Sequence, residues 1–369
     1  MKITDVTLTL FAWDDIPRAS YGKHTGVFGG SGSLGLLTIS TDEGIEGHSF
    51  LGSAYQPAES DAGSLIKVLK PILMGQDPLD RERLGAAMHK RNQTLHTTSR
   101  AVGCVDIALW DIAGKAAGLP VYQLLGAFRH KAPAYAASPV FDTVQEYVDE
   151  AVSCKENHWG AYKIHPPMLW KTDIEVCSAV RRAVGDDYTL MLDSMYGYNY
   201  MEALRVGRAI EEMGYYWYED PLAIQDVYNY AKLTEKLDIP VMATEQAPGG
   251  LDAYAPFIMA RATDYLRGNV RGGITTLVRS AHVAEAFRMN YEVHHGGNSL
   301  LNVASLHVVM ALRNCEYFEV LLPRTAHTWG LQVDIEIDRD GFVHALREPG
   351  LGAKIDVDLI RRKKIAVLA

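Results

Sequence analysis

From Pro133 onward, short runs of β-branched and aromatic residues alternate with stretches whose apolar positions recur every three or four residues. The first pattern belongs to buried strands, the second to helices with one buried face. One unit takes roughly 25 residues. Strand ends are predicted near Val140, His165, Met195, Asp220, Gln246, Val270, His295 and Leu322. Helices are predicted over 143–157, 173–184, 200–213, 227–237, 275–288 and 302–312. Eight strands alternating with helices predict an α/β protein built on a parallel barrel. A doubly wound open sheet is the alternative, and it would gather fewer strand ends around one centre.

The flanks read differently. Residues 3–11 and 34–40 are strand-like, and Thr41-Asp-Glu-Gly44 is a turn. The stretch 14–33 between them is rich in Gly, Ser and aromatics, and a connection that long is usually functional or mobile. It holds Tyr21, Lys23 and His24, which are candidate substrate contacts. Residues 58–128 read as helical, with Leu65, Val68, Leu69 and Ile72 on one face. A second helix is predicted over 101–115, stopped by Gly118-Leu-Pro120. In the tail, 332–337 and 341–345 predict a hairpin around Asp338-Arg-Asp-Gly341, and the end is expected to return to the N-terminal sheet.

Composition narrows the class. Of 369 residues, 48% are hydrophobic and 22% charged, which suits a globular protein with a large core. A formal net charge of −9 argues against nucleic-acid or anionic-membrane partners. The four cysteines, Cys104, Cys154, Cys177 and Cys315, are scattered without a CxxC pair and read as reduced packing thiols. There is no basic-plus-apolar leader pattern and no long apolar run, so a cytoplasmic location is expected.

Chemistry enters at the strand ends. Asp193, Glu219 and Glu245 each close an apolar run, in Thr189-Leu-Met-Leu-Asp193, Tyr215-Tyr-Trp-Tyr-Glu219 and Pro240-Val-Met-Ala-Thr-Glu245. They are evenly spaced, 26 residues apart. Burying a carboxylate is costly unless something pairs with it. Three on neighbouring strands would make a hard-cation site, with Mg²⁺ the expected ion and Mn²⁺ its substitute. Lys163 and His165 lie two apart on one strand and would both face the barrel mouth. Burial beside a cation would lower the pKa of Lys163 and suit it to act as a base. His294 and His295 end the opposite strand, and only one of them can face inward. Glu319 on the last strand would accept a hydrogen bond from a substrate. A metal flanked by such groups suits removal of the proton α to a carboxylate, through an enediolate.

These residues sit in motifs that resemble the enolase superfamily, in its mandelate racemase and muconate lactonizing branch. The stretch Ala101-Val-Gly-Cys-Val-Asp-Ile-Ala-Leu-Trp-Asp-Ile-Ala-Gly-Lys115 is similar to that family's helical signature. Gly118-Leu-Pro-Val, Glu219-Asp-Pro221, Thr244-Glu245, Gly272-Gly-Ile-Thr275 and Pro349-Gly-Leu-Gly352 extend the match over essentially the whole chain. The resemblance implies a modified (β/α)7β TIM barrel over 129–325, with the catalytic site. It implies an α+β capping domain from 1–128, completed by the tail 326–369. It implies Asp193, Glu219 and Glu245 as Mg²⁺ ligands and His165 at the base position of a Lys-x-Lys pair. Lys163 would touch the substrate carboxylate, His294 would be the opposing histidine, and Glu319, Asn269 and His295 would join the substrate contacts. Loops 14–32 and 50–57 would close over the site, and homo-oligomers are common in the family. Two departures stand out. Asn269 replaces the Asp that would support His294, and Lys-x-Lys has become Lys-x-His. Both favour dehydration of a sugar acid to a 2-keto-3-deoxy acid. Racemisation, epimerisation or cycloisomerisation is the alternative, and a barrel that only binds a metal and an acid sugar is the third.

Overall fold

The computed structural model describes residues 1–95, 97–247 and 251–369. Strand β1 (Ile3–Ala19) and strand β2 (Phe28–Thr41) form one long antiparallel hairpin, paired from Ile3–Thr41 out to Ala19–Phe28. The stretch expected as a long connection is therefore mostly strand, and only 20–27 remain at the tip. The reason is physical. The pairing shifts register near Trp13 and Ile16, which keeps Trp13, Ile16 and Ala19 buried while the Gly- and Ser-rich start of β2 faces water. Such a strand hides the usual apolar alternation. Strand β3 (Glu46–Leu51) follows the turn closed by Gly44, whose φ of 77° a side chain would resist. The C-terminal strand, described below, completes a four-stranded sheet beside β1.

The helix Ser99–Ala117 runs under this sheet. Thr98 caps its start by accepting the Ala101 N–H, and Gly118 ends it at φ 66°. It also docks the sheet onto the rest of the molecule. Asp106 accepts the Thr275 N–H at 3.0 Å and its hydroxyl at 2.6 Å, and Trp110 Nε1 donates to the same hydroxyl. Backbone meets backbone at Gly103, where a Cβ would lie 2.1 Å from the Arg271 carbonyl oxygen. Gly103→Ala should gain helix propensity yet lose about 2 kcal/mol net to overpacking, measured by urea unfolding; a stabilised variant would refute the contact.

Eight parallel strands form the barrel: β4 (Lys131–Ala137), β5 (Ala161–Ile164), β6 (Leu190–Asp193), β7 (Tyr218–Glu219), β8 (Val241–Ala243), β9 (Tyr265–Asn269), β10 (Asn290–His294) and β11 (Phe318–Leu321). Strands β4 to β10 pair in that order, and β11 pairs with β4, which leaves β10 and β11 side by side without a ladder between them. Helices Val144–Glu156, Trp170–Val184, Tyr200–Glu212, Val227–Lys236, Ile274–Ala286 and Ser299–Ala311 intervene, close to the predicted spans. Side chains bridge the seam between β10 and β11. Glu292 accepts the N–H groups of Glu316 at 3.0 Å and Tyr317 at 3.3 Å, and Glu319 accepts that of His295 at 2.9 Å.

Two strands follow. Strand β12 (Phe342–His344) pairs with the start of β4, and β13 (Lys364–Leu368) pairs with β1. The hairpin predicted between 332–337 and 341–345 does not form. The turn at Asp338 is present, with Asp338 accepting the Asp340 and Phe342 N–H groups. The first residues of β4, 131–133, which precede its pairing with β5 and β11, take the strand that would have paired with 332–337. No helix among the described residues is long and apolar enough to cross a membrane.

Burial pushes the Glu292 carboxyl up from 4.5 to about 7. Its folded form thus binds a proton more tightly than the unfolded chain does. Its contribution is favourable below pH 4.5 and is lost as pH rises through about 7. The stability of Glu292→Gln relative to the parent should therefore rise by about 3 kcal/mol between pH 4.5 and pH 8, read from denaturation at each pH. A flat difference would show that Glu292 is ionised without strain.

Candidate active site

Asp193 and Glu219 are the last residues of β6 and β7, and Glu245 lies two beyond β8. The strands stand side by side, so all three acids arrive at one rim. One oxygen from each lies within 4.8 Å of the others, and all three residues are buried. The backbone just past these ends is unusual. Met195, Tyr196, Asp220 and Thr244 have φ of 43°, 62°, 41° and 89°, the left-handed region that side chains disfavour. Conformations of this kind persist where the surroundings enforce them, and they cluster at functional sites. Thr244 is held by Arg267, whose N–H it accepts at 3.1 Å and whose carbonyl it donates to at 2.9 Å.

Lys163 and His165 enter from β5 and from the residue just past it. Lys163 Nζ lies 2.9 Å from Glu219 Oε2, 2.6 Å from Glu319 Oε1 and 3.3 Å from Asp193 Oδ2. Burial and Arg267 pull its pKa down, but Glu219 and Glu319 outweigh them and hold it well above the ordinary value. These carboxylates favour the charged ammonium, whereas the lowered pKa expected from sequence is tied to a bound cation beside the lysine. His165 Nδ1 lies 2.6 Å from the Ser138 carbonyl oxygen, which accepts its proton. That leaves Nε2 as the atom able to take up a proton. Asp193 Oδ2, 3.2 Å away, is placed to stabilise the cation that would form.

His294 stands in the opposite tautomer. Its Nδ1 faces two donors, Asn269 Nδ2 at 3.2 Å and Arg271 Nη2 at 3.5 Å. The Asn269 amide is oriented by its oxygen, which accepts the Arg271 N–H at 3.0 Å. The His294 proton therefore sits on Nε2, 3.3 Å from Glu245 Oε1 and 3.8 Å from Glu319 Oε2. Burial holds this ring neutral, and Arg271, Arg267 and Lys163 add to the effect against Glu319.

The other predicted contacts divide. Tyr21 is buried, packs edge-on against His165 at 5.3 Å, and its hydroxyl reaches the Leu322 carbonyl oxygen. His295 is buried behind His294, with its Nδ1 accepting the Gly297 N–H. Lys23 and His24 stay exposed at the hairpin tip, where Lys23 Nζ donates to the Gly197 carbonyl. Sequence reasoning missed Arg267. It is fully buried, pairs with Glu219 Oε1, and lies 2.6 Å from Glu319 Oε2. The signal was present, because Arg267 lies two residues before Asn269 on β9 and so shares its face.

Four buried acids, Asp193, Glu219, Glu245 and Glu319, thus face two buried bases, Lys163 and Arg267. Fully ionised, the group would carry two unmatched negative charges. Asp220, also buried, accepts from the Tyr196 and Tyr230 hydroxyls and pairs with neither Lys163 nor Arg267, so it stands outside this group; Arg271 is only half-buried at the edge. The shortfall shows in Glu219, which burial and the neighbouring Asp193 push up to about 8 despite Arg267 and Lys163. An all-carboxylate donor set with that deficit fits a hard divalent cation.

Comparison with known proteins agrees. Residues 28–126 match the family model of the mandelate racemase / muconate lactonizing enzyme N-terminal domain, and 146–359 match the enolase C-terminal domain-like model. The arabinonate dehydratase of Saccharolobus solfataricus is 29% identical over 86% of this chain and 87% of that protein. The D-galactarolactone cycloisomerase of Agrobacterium fabrum is 29% identical over 75% of each. The crystal structure of a D-glucarate dehydratase from Agrobacterium tumefaciens complexed with magnesium superposes with a TM-score of 0.91. It is 35% identical and covers 99% of this chain and 100% of that one. On its barrel, its rim of acids and both family matches, the chain belongs to the mandelate racemase / muconate lactonizing enzyme family of the enolase superfamily.

Proposed function

We propose that this chain is a Mg²⁺-dependent dehydratase of a sugar acid, forming a 2-keto-3-deoxy acid. The observation that carries the reading is what faces the two rings across the acid rim, a carbonyl acceptor at His165 Nδ1 and an amide donor at His294 Nδ1, which assigns them opposed tautomers. One face offers a proton acceptor, the other only a hydrogen-bond donor. Two-base racemisation needs an acceptor on both faces, so the geometry favours elimination. Similarity to sugar-acid dehydratases supports the substrate class.

Asp193, Glu219 and Glu245 would hold the ion. Mg²⁺, when bound, supplies Lewis-acid stabilisation of the charge that collects on a substrate carboxylate as its α-proton leaves. Lys163, charged and buried, would pair with that carboxylate, and Glu319 would accept a hydrogen bond from a substrate hydroxyl. His165 Nε2 would take the α-proton and return it to the departing β-hydroxyl, which leaves as water; the enol left behind becomes the 2-keto-3-deoxy acid by moving its hydroxyl proton to C3 through solvent. His294 Nε2–H would donate a hydrogen bond to that hydroxyl or to the carboxylate. Tyr21 over His165 would keep bulk water away from the base.

The test is a library of mono- and diacid sugars with Mg²⁺, read for 2-keto acid by semicarbazone absorbance and by proton NMR in D2O. A keto-deoxy product is expected from at least one acid. Exchange of the α-proton without loss of water would favour the epimerase reading. Neither event with any acid would leave a binding barrel.

A further inference from the structure

We infer that Arg267 is a positioning residue that sets how tightly the acid rim binds its divalent cation. This rests on the reading of Asp193, Glu219 and Glu245 as the metal-holding acids. The Arg267 guanidinium is fully buried and spans both sides of the rim. Its Nε pairs with Glu219 Oε1 and lies 4.0 Å from Glu245 Oε2. Its Nη2 lies 2.6 Å from Glu319 Oε2 and donates to the Tyr135 hydroxyl at 2.9 Å. The Thr244 hydroxyl bonds both the N–H and the carbonyl of Arg267, so the backbone that carries the fork is tied to the residue before Glu245.

Two consequences follow from this geometry. One oxygen of Glu219 is ion-paired with the planar guanidinium, and the other is already shared with Lys163. A fixed positive charge also stands within 4.0 Å of two of the three acids that would hold the ion. In a buried site such a charge opposes cation binding strongly. Arg267 thus offsets the repulsion among the acids and at the same time weakens their hold on the ion. A scaffold role alone predicts the reverse, because acids released from a clamp would splay apart and bind the ion less well.

The sign of the effect is the test. Mn²⁺ binding to the purified full chain would be followed by electron paramagnetic resonance of the free ion, with Arg267→Met, Glu319→Gln and the double variant. Arg267→Met should bind Mn²⁺ about tenfold or more tighter than the parent. Affinity that is unchanged or weaker overturns the inference. Should Arg267→Met fail to fold, the double variant removes one base and one acid together. It should bind Mn²⁺ about tenfold tighter than Glu319→Gln alone, and equality there overturns the inference equally. A parent chain that binds no Mn²⁺ would instead bring down the metal reading itself, a result distinct from parent binding that the variants leave unmoved.

Discussion

An Asp193→Asn variant is expected to bind Mg²⁺ about a hundredfold or more weakly and to lose turnover by about a thousandfold or more. The substitution is close to isosteric. Its remaining oxygen can still accept the Met195 N–H, which Asp193 Oδ1 now accepts at 3.0 Å, so the rim turn keeps its bond. What disappears is a charge with three duties. It would hold the ion, it lies 3.2 Å from His165 Nε2 where a protonated ring would need it, and it lies 3.3 Å from Lys163. Burial opposes ionisation of this acid, yet Lys163 and His165 hold it well below the ordinary range, so the charge is present in the folded chain. The metal part can be read without substrate. A ligand at about a hundred times its Kd raises stability by about 2.7 kcal/mol, so the parent should melt several degrees higher with Mg²⁺ than with chelator. Asp193→Asn should show no such gain at the same Mg²⁺. An undiminished gain would remove Asp193 from the ligand set.

The strand order and the three rim acids could be read from sequence for a common reason. A parallel strand covered on both faces is an apolar run, and a carboxylate at its end is conspicuous. β6 and β7 show this plainly, in Leu190–Asp193 and in Trp217-Tyr-Glu219. The long hairpin was hidden because Gly29, Gly30 and Gly32 at the start of β2 carry no side chain to alternate. Arg267 was hidden by its type. An arginine in a short strand reads as a surface charge until its neighbours across the barrel are known. The carboxylates that meet Lys163 were out of reach for the same reason. Its partner Glu219 is 56 residues away in sequence, and local pattern cannot say whether burial or that carboxylate wins. The histidine tautomers belong to this class too, set by the Ser138 carbonyl and the Asn269 amide.

Those tautomers set apart two variants that a symmetrical mechanism would make alike. His165→Asn should lower kcat by about a thousandfold, since general-base contributions run to about that size. It should also abolish exchange of the substrate α-proton with D2O. Mg²⁺ affinity should stay within about threefold, because His165 meets the rim only through Asp193. His294→Ala removes a donor, not an acceptor. Its dehydration rate should fall by about a hundredfold, the usual size for loss of one oriented donor. Exchange of the α-proton should survive, because His165 Nε2 and the ion site are intact. The pair is decided in one NMR experiment that follows the α-proton signal and the keto-deoxy product together. If His294→Ala loses exchange as completely as His165→Asn, both histidines accept protons. The Asn269 amide then does not fix the tautomer of His294, and the elimination reading gives way to two-base racemisation.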